Sequence, residues 1–318
     1  MARQTFAAGW LRDEQGSDLI HRIEQTSVAE TWFKPIPMAG ELKTEPRMGA
    51  TGISVIAKGG TYPEDVAGND SVVLTARKFG TAIRIADEDI ADNLVDVVNA
   101  KKVDWGTSFA VAYDNACIGT NGASNGTTIP FTSIYQQIVT ADAGTGYSAN
   151  ANYVKNIGAI TYDNLNTLVG LAENQGYWNP SRMGFIAPPG FRQLLRGLKD
   201  TQGRPLWQPA IDQTTPETFM GYPIKWSMGS VVSAAVTATP AATLAGAGVK
   251  GTAGNPLIVF ANADLLYAGK RSGPESVVIP GLDGASALTD ETLLKMRARR
   301  AFAVAHELGV AVMEITNA

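Results

Sequence analysis

Residues 195–210 read LRGLKDTQGRPLWQPA, and the pattern changes twice within them. The run PGFRQLLRGLKD (189–200) reads as an amphipathic helix, with Pro189 suited to its first turn. Lys199 to Arg204 then form a polar turn, in which Gly203 relaxes the backbone and Pro205 restarts an extended run. A second extended piece, TFMGYPIKWS (218–227), follows as a Pro-punctuated hairpin. No catalytic residue type gathers around this helix, turn and hairpin.

Before this block, TYDNLNTLVGLAENQ (161–175) reads as a helix and RMGFIAP (182–188) as a strand. After it come a Gly/Ala/Thr loop (230–256) and strands at PLIVFAN (256–262), DLLYAGK (264–270) and ESVVIPG (275–281). The run 291–316 reads as one long strand, with Leu294, Met296, Phe302 and Val304 alternating with Lys295, Arg297 and Arg299. Towards the start, residues 1–30 form a polar arm or short helix, and TWFKPIPMAGEL (31–42) is extended because two prolines exclude a helix. The β-branched runs GISVIAK (52–58) and SVVLTARKFGTAIRIA (71–86) flank a turn-rich segment and predict a hairpin. Val73, Thr75, Phe79, Thr81, Ile83 and Ile85 share one face of its second run. A two-stranded hairpin is marginal alone, so it must dock on something distant in sequence. Residues 87–119 predict one long helix, opened by Asp87, Glu88 and Asp89 at the positive end of its dipole and closed by Gly119. Residues 120–155 are polar and rich in Gly, Asn and Thr. The fold class is α+β.

The composition narrows the function. At 318 residues, 45% apolar and 18% charged, the chain has a globular makeup and enough length for a large core. A net charge of −4 argues against tight nucleic-acid binding. The lone Cys117 excludes an internal disulfide and any multi-cysteine metal site. The first residues lack the apolar core of a signal peptide, and no run of about 20 strongly apolar residues is present to span a membrane. The expectation is a soluble protein made in the cytoplasm.

Chemical motifs are few. GAGVKG (246–251) fits G-x-G-x-x-G, but neither the strand before it nor the helix after it that a dinucleotide site requires is present. DEDIAD (87–92) reads as a charged first helical turn rather than a metal site. His21 and His306 are the only histidines, and nothing local activates Cys117 beside either. Lys295, Arg297, Arg299 and Arg300 make a basic stripe that is either a solvated strand face or a contact. No catalytic, cofactor or metal residue is assigned, and an enzyme is not expected.

Taken in order, TAIRIADEDIADNLVD, AYDNACIGTNG, FRQLLRGLKDTQGRPLWQP and TFMGYPIKWS resemble the tailed-phage major capsid proteins of the Hong Kong 97 fold. The Lys-Asp-x-x-Gly-Arg-x-Leu turn and the following Gly-x-Pro-Ile segment are the most specific part, and the likeness runs from about residue 30 onward. It implies an N-terminal arm at 1–45 and an extended β-hairpin loop at 46–82. The peripheral domain would comprise 83–154 and 275–318, with a spine helix at about 87–119, and the axial domain 155–274. It also implies a structural protein that assembles with itself through pentamers and hexamers into an icosahedral shell. The shell would enclose double-stranded DNA contacted non-specifically, in a virion assembled in the host bacterial cytoplasm. Portal, scaffolding and decoration proteins are compatible partners; a membrane is not. Inter-subunit contacts are expected from Lys58, Tyr62, Glu64 and Asp65 of the loop, Arg77, Asp283, Asp290, Arg297 and Arg299. The family's namesake carries a removable scaffolding segment, whereas here the arm begins almost at Met1, so scaffolding is expected to be separate or dispensable. The namesake also cross-links a loop lysine to an asparagine. Lys58 fits the first role, but 275–316 holds no asparagine, so a noncovalent contact to LDGASALTDE (282–291) is the expectation.

Three rivals remain. An encapsulin-type compartment would share the fold but hold cargo enzymes. A nucleotide enzyme would use GAGVKG, and a tail or fibre protein would need fewer helices than the chain predicts.

Overall fold

The structure, a computed structural model, describes residues 26–49, 52–64, 70–92, 96–199, 202–207, 217–280 and 290–318. Two runs with almost no polar residue, β9 (Leu257–Asn262) and β12 (Val310–Thr316), lie side by side with every residue buried. Such runs suit strands covered on both faces. They sit inside a six-stranded sheet ordered β5-β12-β9-β6-β8-β7, where β5 is Tyr153–Ile157, β6 Met183–Ala187, β7 Thr218–Phe219 and β8 Tyr222–Trp226. Strand parity divides the core. Leu257, Val259, Val310 and Val312 pack on helices α3 (Val97–Ile118) and α4 (Ile134–Val139). Ile258, Phe260, Ala311, Met313 and Ile315 pack on α5 (Tyr162–Glu173) and α6 (Phe191–Gly197). Each large aliphatic side chain buried this way contributes about 1.5–3 kcal/mol.

A second, four-stranded sheet is ordered β1-β10-β11-β4, with β1 at Lys34–Pro37, β4 at Arg77–Ala86, β10 at Leu266–Ile279 and β11 at Glu291–Val304. β11 alternates half-buried and buried residues along its length. The even face packs under α3, where Trp105, Phe109 and Tyr113 stack at successive turns with ring separations of 5.3 and 5.9 Å. The Tyr113 hydroxyl donates to the Ala301 carbonyl at 3.1 Å, tying helix to strand. β1 tolerates Pro35 and Pro37 because it is an edge strand. A short helix, α1 (Val28–Trp32), precedes it, capped by the Ser27 side chain.

The expected helix, turn and hairpin at 189–227 are present around α6, β7 and β8. The Leu206 N–H closes the turn onto the Leu198 carbonyl at 3.0 Å, and Gly203 takes φ +81°. Trp207 is buried, and its indole N–H donates to the Thr218 carbonyl.

Five expectations are corrected. The 87–119 helix is two elements, α2 (Asp87–Asp92) and α3, because Asp96 takes a non-helical conformation and caps α3 through the Asn99 N–H. The strand paired with β3 (Asp70–Thr75) is β2 (Leu42–Arg47), and residues 52–58 lie in no strand. The run 71–86 breaks at Ala76, which shifts strand phase, so Leu74 is buried while Val73 is 51% exposed. The two expected strands at 264–270 and 275–281 are joined through 266–279 into one strand, β10, whose register shifts at 270–275 where Gly273-Pro274 falls. The run 291–316 turns at a 3-10 turn, Glu307–Gly309, and β12 joins the six-stranded sheet while β11 stays in the other. β11 and β12 thus lie in different sheets, and β10 begins at Leu266. α4 and β5 also lie inside the stretch 120–155 that composition alone leaves featureless.

Candidate assembly interface

The β2–β3 hairpin leaves the body at a charged root. Arg47 on β2 pairs with Asp70 on β3 and with Asp142 at 3.1 Å, and it donates to the Ala305 carbonyl at 3.1 Å. Fully buried Glu307 lies 4.0 Å away and accepts from Gln137 at 2.6 Å and Thr145 at 3.1 Å. The Arg47 hydrogen bond holds the Asp70 carboxyl below its usual range. Burial pushes Asp142 up, but the Gly144 N–H, Glu307 and Arg47 outweigh it and leave it lowered. Burial pushes Glu307 up. The two lowered aspartates contribute stability above the ordinary carboxylate range, and this is lost as pH falls through their depressed values. Glu307 acts in the opposite sense, losing its contribution as pH rises through its raised value. Amide exchange in β2 and β3, corrected for intrinsic rate, should therefore accelerate on acidification below about pH 4. Arg47→Gln should remove most of that dependence.

Beyond the root, residues 52–64 lie in no helix or strand, turn at Ala57–Gly60 and are almost uncovered. Ile53 is 97%, Val55 104% and Tyr62 82% exposed. Lys58 and Glu64 are exposed in the same segment. Asp65 and Asp283 lie outside the described residues. Asp290, at φ +46°, accepts the Asp87 N–H through its carbonyl at 2.9 Å. Arg297 and Arg299 lie on the odd, outward face of β11, where Arg297 pairs with Glu275 at 2.9 Å.

Two basic residues are placed differently from expectation. Arg77 sits on the α3 side of the sheet, lining a cavity of about 290 Å³ beside Arg47 and Ser124, with its Nε buried. The register sets it opposite Arg300, so the odd residues of β4 share the inward face of the even residues of β11. Arg300 leaves the expected stripe for the same reason. It is 2% exposed, pairs with Glu30 of α1 at 2.6 Å and lies 5.5 Å over the Phe109 ring.

Buried acids that the sequence reading passed over also tie the arm and loops down. Asp114 of α3 accepts the Val28 and Ala29 N–H groups at 2.9 and 3.0 Å, and the Ser27 and Ser227 hydroxyls at 2.6 Å each. Burial pushes its carboxyl up against the pull of those bonds. Glu314 of β12 accepts from Tyr135, Tyr153, Asn255 and the Gly251 N–H at 2.7–2.9 Å. A carboxylate inside an otherwise apolar run, as in AVMEIT, is the signal that marks such a residue. For Arg300 the strand parity itself is the signal.

The motif candidates resolve as structural. GAGVKG is a loop lying on the C-terminal strand, without the helix a nucleotide site needs. Gly246 has φ +82°, and a Cβ there would meet the Thr316 backbone at 2.4 Å. Gly246→Ala should cost about 1–3 kcal/mol, read as a lowered unfolding midpoint. Cys117 is fully buried beside Tyr113, and burial pushes its thiol well up, whereas His306 stacks on Tyr177 at 4.0 Å. Among the described residues, no group of three His, Cys, Asp or Glu could hold a metal ion, and no helix is long and apolar enough to cross a membrane.

Known proteins share this arrangement. A chain in the solved structure of Mycobacterium phage Ogopogo superposes with a TM-score of 0.73 at 16% identity, covering 98% of this chain and 99% of that one. A chain from the capsid of a native GTA particle gives 0.70 at 14% identity, covering 97% and 96%. These likenesses are of fold, the Hong Kong 97 type. In sequence, the probable major capsid protein gp17 of Mycobacterium phage L5 is 27% identical over 206 residues, 63% of this chain and 58% of that protein. Its counterpart from Mycobacterium phage D29 is 26% identical over 207 residues, 64% and 59%. The chain thus matches less than two thirds of the length of these curated relatives. The phage capsid family model matches residues 13–315, and the chain belongs to that family.

Proposed function

We propose that this chain is a phage major capsid protein that assembles through pentamers and hexamers into an icosahedral shell enclosing double-stranded DNA. The observation that carries the reading is the segment 52–64. A folded chain that leaves Ile53, Val55 and Tyr62 in water is complete only when a neighbour covers them. Such contacts are heterologous: the loop of one copy meets a different surface of the next, and a closing rotation makes rings. The role is structural and needs no catalytic centre. Lys58, Tyr62 and Glu64 are the loop residues that would touch the neighbour.

In domain terms, the arm runs into α1 and is fixed by Asp114 and Arg300. The extended loop is rooted on β2 and β3. The peripheral domain is the four-stranded sheet with α2 and α3, and the axial domain is the six-stranded sheet with α5 and α6, completed by β12. DNA inside would be contacted non-specifically, and portal, scaffolding and decoration proteins are compatible partners. The virion capsid is the site of action, with assembly in the host cytoplasm. The curated relatives, both named as probable major capsid proteins, favour this over an encapsulin-type compartment.

The test is negative-stain electron microscopy and light scattering of the chain expressed alone and with a scaffolding protein. Closed shells, or pentamers and hexamers, are expected. A monomer or dimer that persists at high concentration under both conditions would overturn the proposal.

A further inference from the structure

The outward face of the four-stranded sheet is positive although the chain carries a net −4. Residues paired across strands share a face, so the register brings Arg299 beside Lys78, Arg297 beside Glu275, and Lys295 beside Val277. Arg297 and Glu275 neutralise each other. Lys78, Lys295 and Arg299 have no ion pair among the described residues. Val277, in the Lys295 row, is 41% exposed. The hairpin root covers only the far end of this face, where Leu74 and Met38 pack on Ala301.

The same sheet ends in the opposite charge. β4 runs directly into α2, whose Glu88, Asp89 and Asp92 are exposed and have no ion pair among the described residues. Among them Ile90 is 36% exposed. Each surface is therefore an apolar residue rimmed by unpaired charges, and the signs are opposite. This matches the anatomy of an interface, an apolar centre within a polar rim.

Tip and face are set apart along the sheet within one molecule. At about 3.3 Å per residue, Lys78 and Arg299 lie eight residues back along β4 from Ala86, about 26 Å, and Lys295, opposite Ala82, lies four residues back, about 13 Å. β4 is paired with β11 over that whole distance and cannot fold back.

We infer that the acidic α2 tip of one copy docks on the Lys78–Lys295–Arg299 face of a second copy. The contact is heterologous, since tip and face are different surfaces, and it can propagate or close a ring. It rests on the shell reading and adds to it a particular pair of surfaces and a charge code between them.

The test is a charge swap in the full chain, followed by light scattering and sedimentation. The face variant carries Lys295→Glu and Arg299→Glu; the tip variant carries Glu88→Lys and Asp92→Lys. Glu88 and Asp92 are exposed, Lys295 and Arg299 are half-buried on the outward face, and unfolding midpoints of the unassembled proteins confirm that each variant folds. Each variant alone should assemble about tenfold or more slowly than wild type, because like charges are set against each other. The chain carrying both sets should recover most of the wild-type rate. A milder face variant, Lys295→Gln with Arg299→Gln, should reduce both the rate and its sensitivity to salt.

Several outcomes would overturn the inference. If the folded face and tip variants assemble at the wild-type rate, or the combined variant is no better than either, the contact does not exist. If the face variant assembles normally but its shells hold less nucleic acid, the face serves phosphate instead. Failure of the wild-type chain to assemble at all would overturn the shell reading and this inference together. Normal wild-type assembly with no charge rescue would overturn this inference alone.

Discussion

Glu30→Ala should destabilise the unassembled protein by about 3 kcal/mol, whereas Arg300→Met should cost distinctly less. Arg300 is 2% exposed, and its only carboxylate partner among the described residues is Glu30, at 2.6 Å. Removing the acid leaves a guanidinium buried without a counter-charge, which typically costs about 3–5 kcal/mol. The lower end applies because Glu30 itself is 35% exposed, so water can reach part of the vacated space. Replacing the arginine with a long apolar side chain removes charge and desolvation together and keeps contact with Phe109. Denaturant titration of the two variants reads the difference. Equal losses would mean that the pair acts only through packing. Since Glu30 belongs to α1, the same experiment asks how firmly the arm is held.

Glu314→Ala should be similarly damaging, lowering stability by at least about 3 kcal/mol. Four donors converge on that carboxylate, which is fully buried: the Tyr135 and Tyr153 hydroxyls, the Asn255 amide and the Gly251 N–H. A buried donor left without an acceptor costs about 1–3 kcal/mol. Glu314→Gln keeps one acceptor oxygen and obliges the tyrosine hydroxyls to accept from its amide N–H groups rather than donate, so a loss of about 1–2 kcal/mol is expected. Thermal unfolding orders the three proteins. A Gln variant as damaged as the Ala variant would show that the negative charge itself matters, through Lys250, which lies 4.3 Å over the Tyr153 ring.

Local patterns in the sequence carry much of this architecture. α5, β6, α6 and β9 are each specified by their own periodicity or apolar run, and the structure places them where reading predicts. Pairing partners are a different matter. The β-branched run 52–58 is as strand-like as Leu42–Arg47, but only the latter pairs with β3, through a register fixed at the Arg47 root. The helix break at Asp96 is a capping event, indistinguishable by composition from one more acidic residue on an acidic helix start. At the candidate interface, exposure of Lys58, Tyr62, Glu64 and Arg297 follows from loop and strand parity, and Arg77 and Arg300 show what a parity error costs. Arg77, odd on β4, and Arg300, even on β11, are paired on the same inward face.

The position of β12 has a consequence for timing. In chain order it follows every other described strand, yet it lies inside its sheet, between β5 and β9. Its partners are residues 153–157 and 257–261. A growing chain that has not yet released residues 310–316 from the ribosome cannot close that sheet, and the cores on both faces stay open. Pairing over such sequence separations is slow, because loop-closure entropy is spent before any contact forms. Synthesis through residue 316 thus acts as a clock. Until then a half-made subunit has no finished surface to offer a neighbour, and its two uncovered apolar cores are open to aggregation.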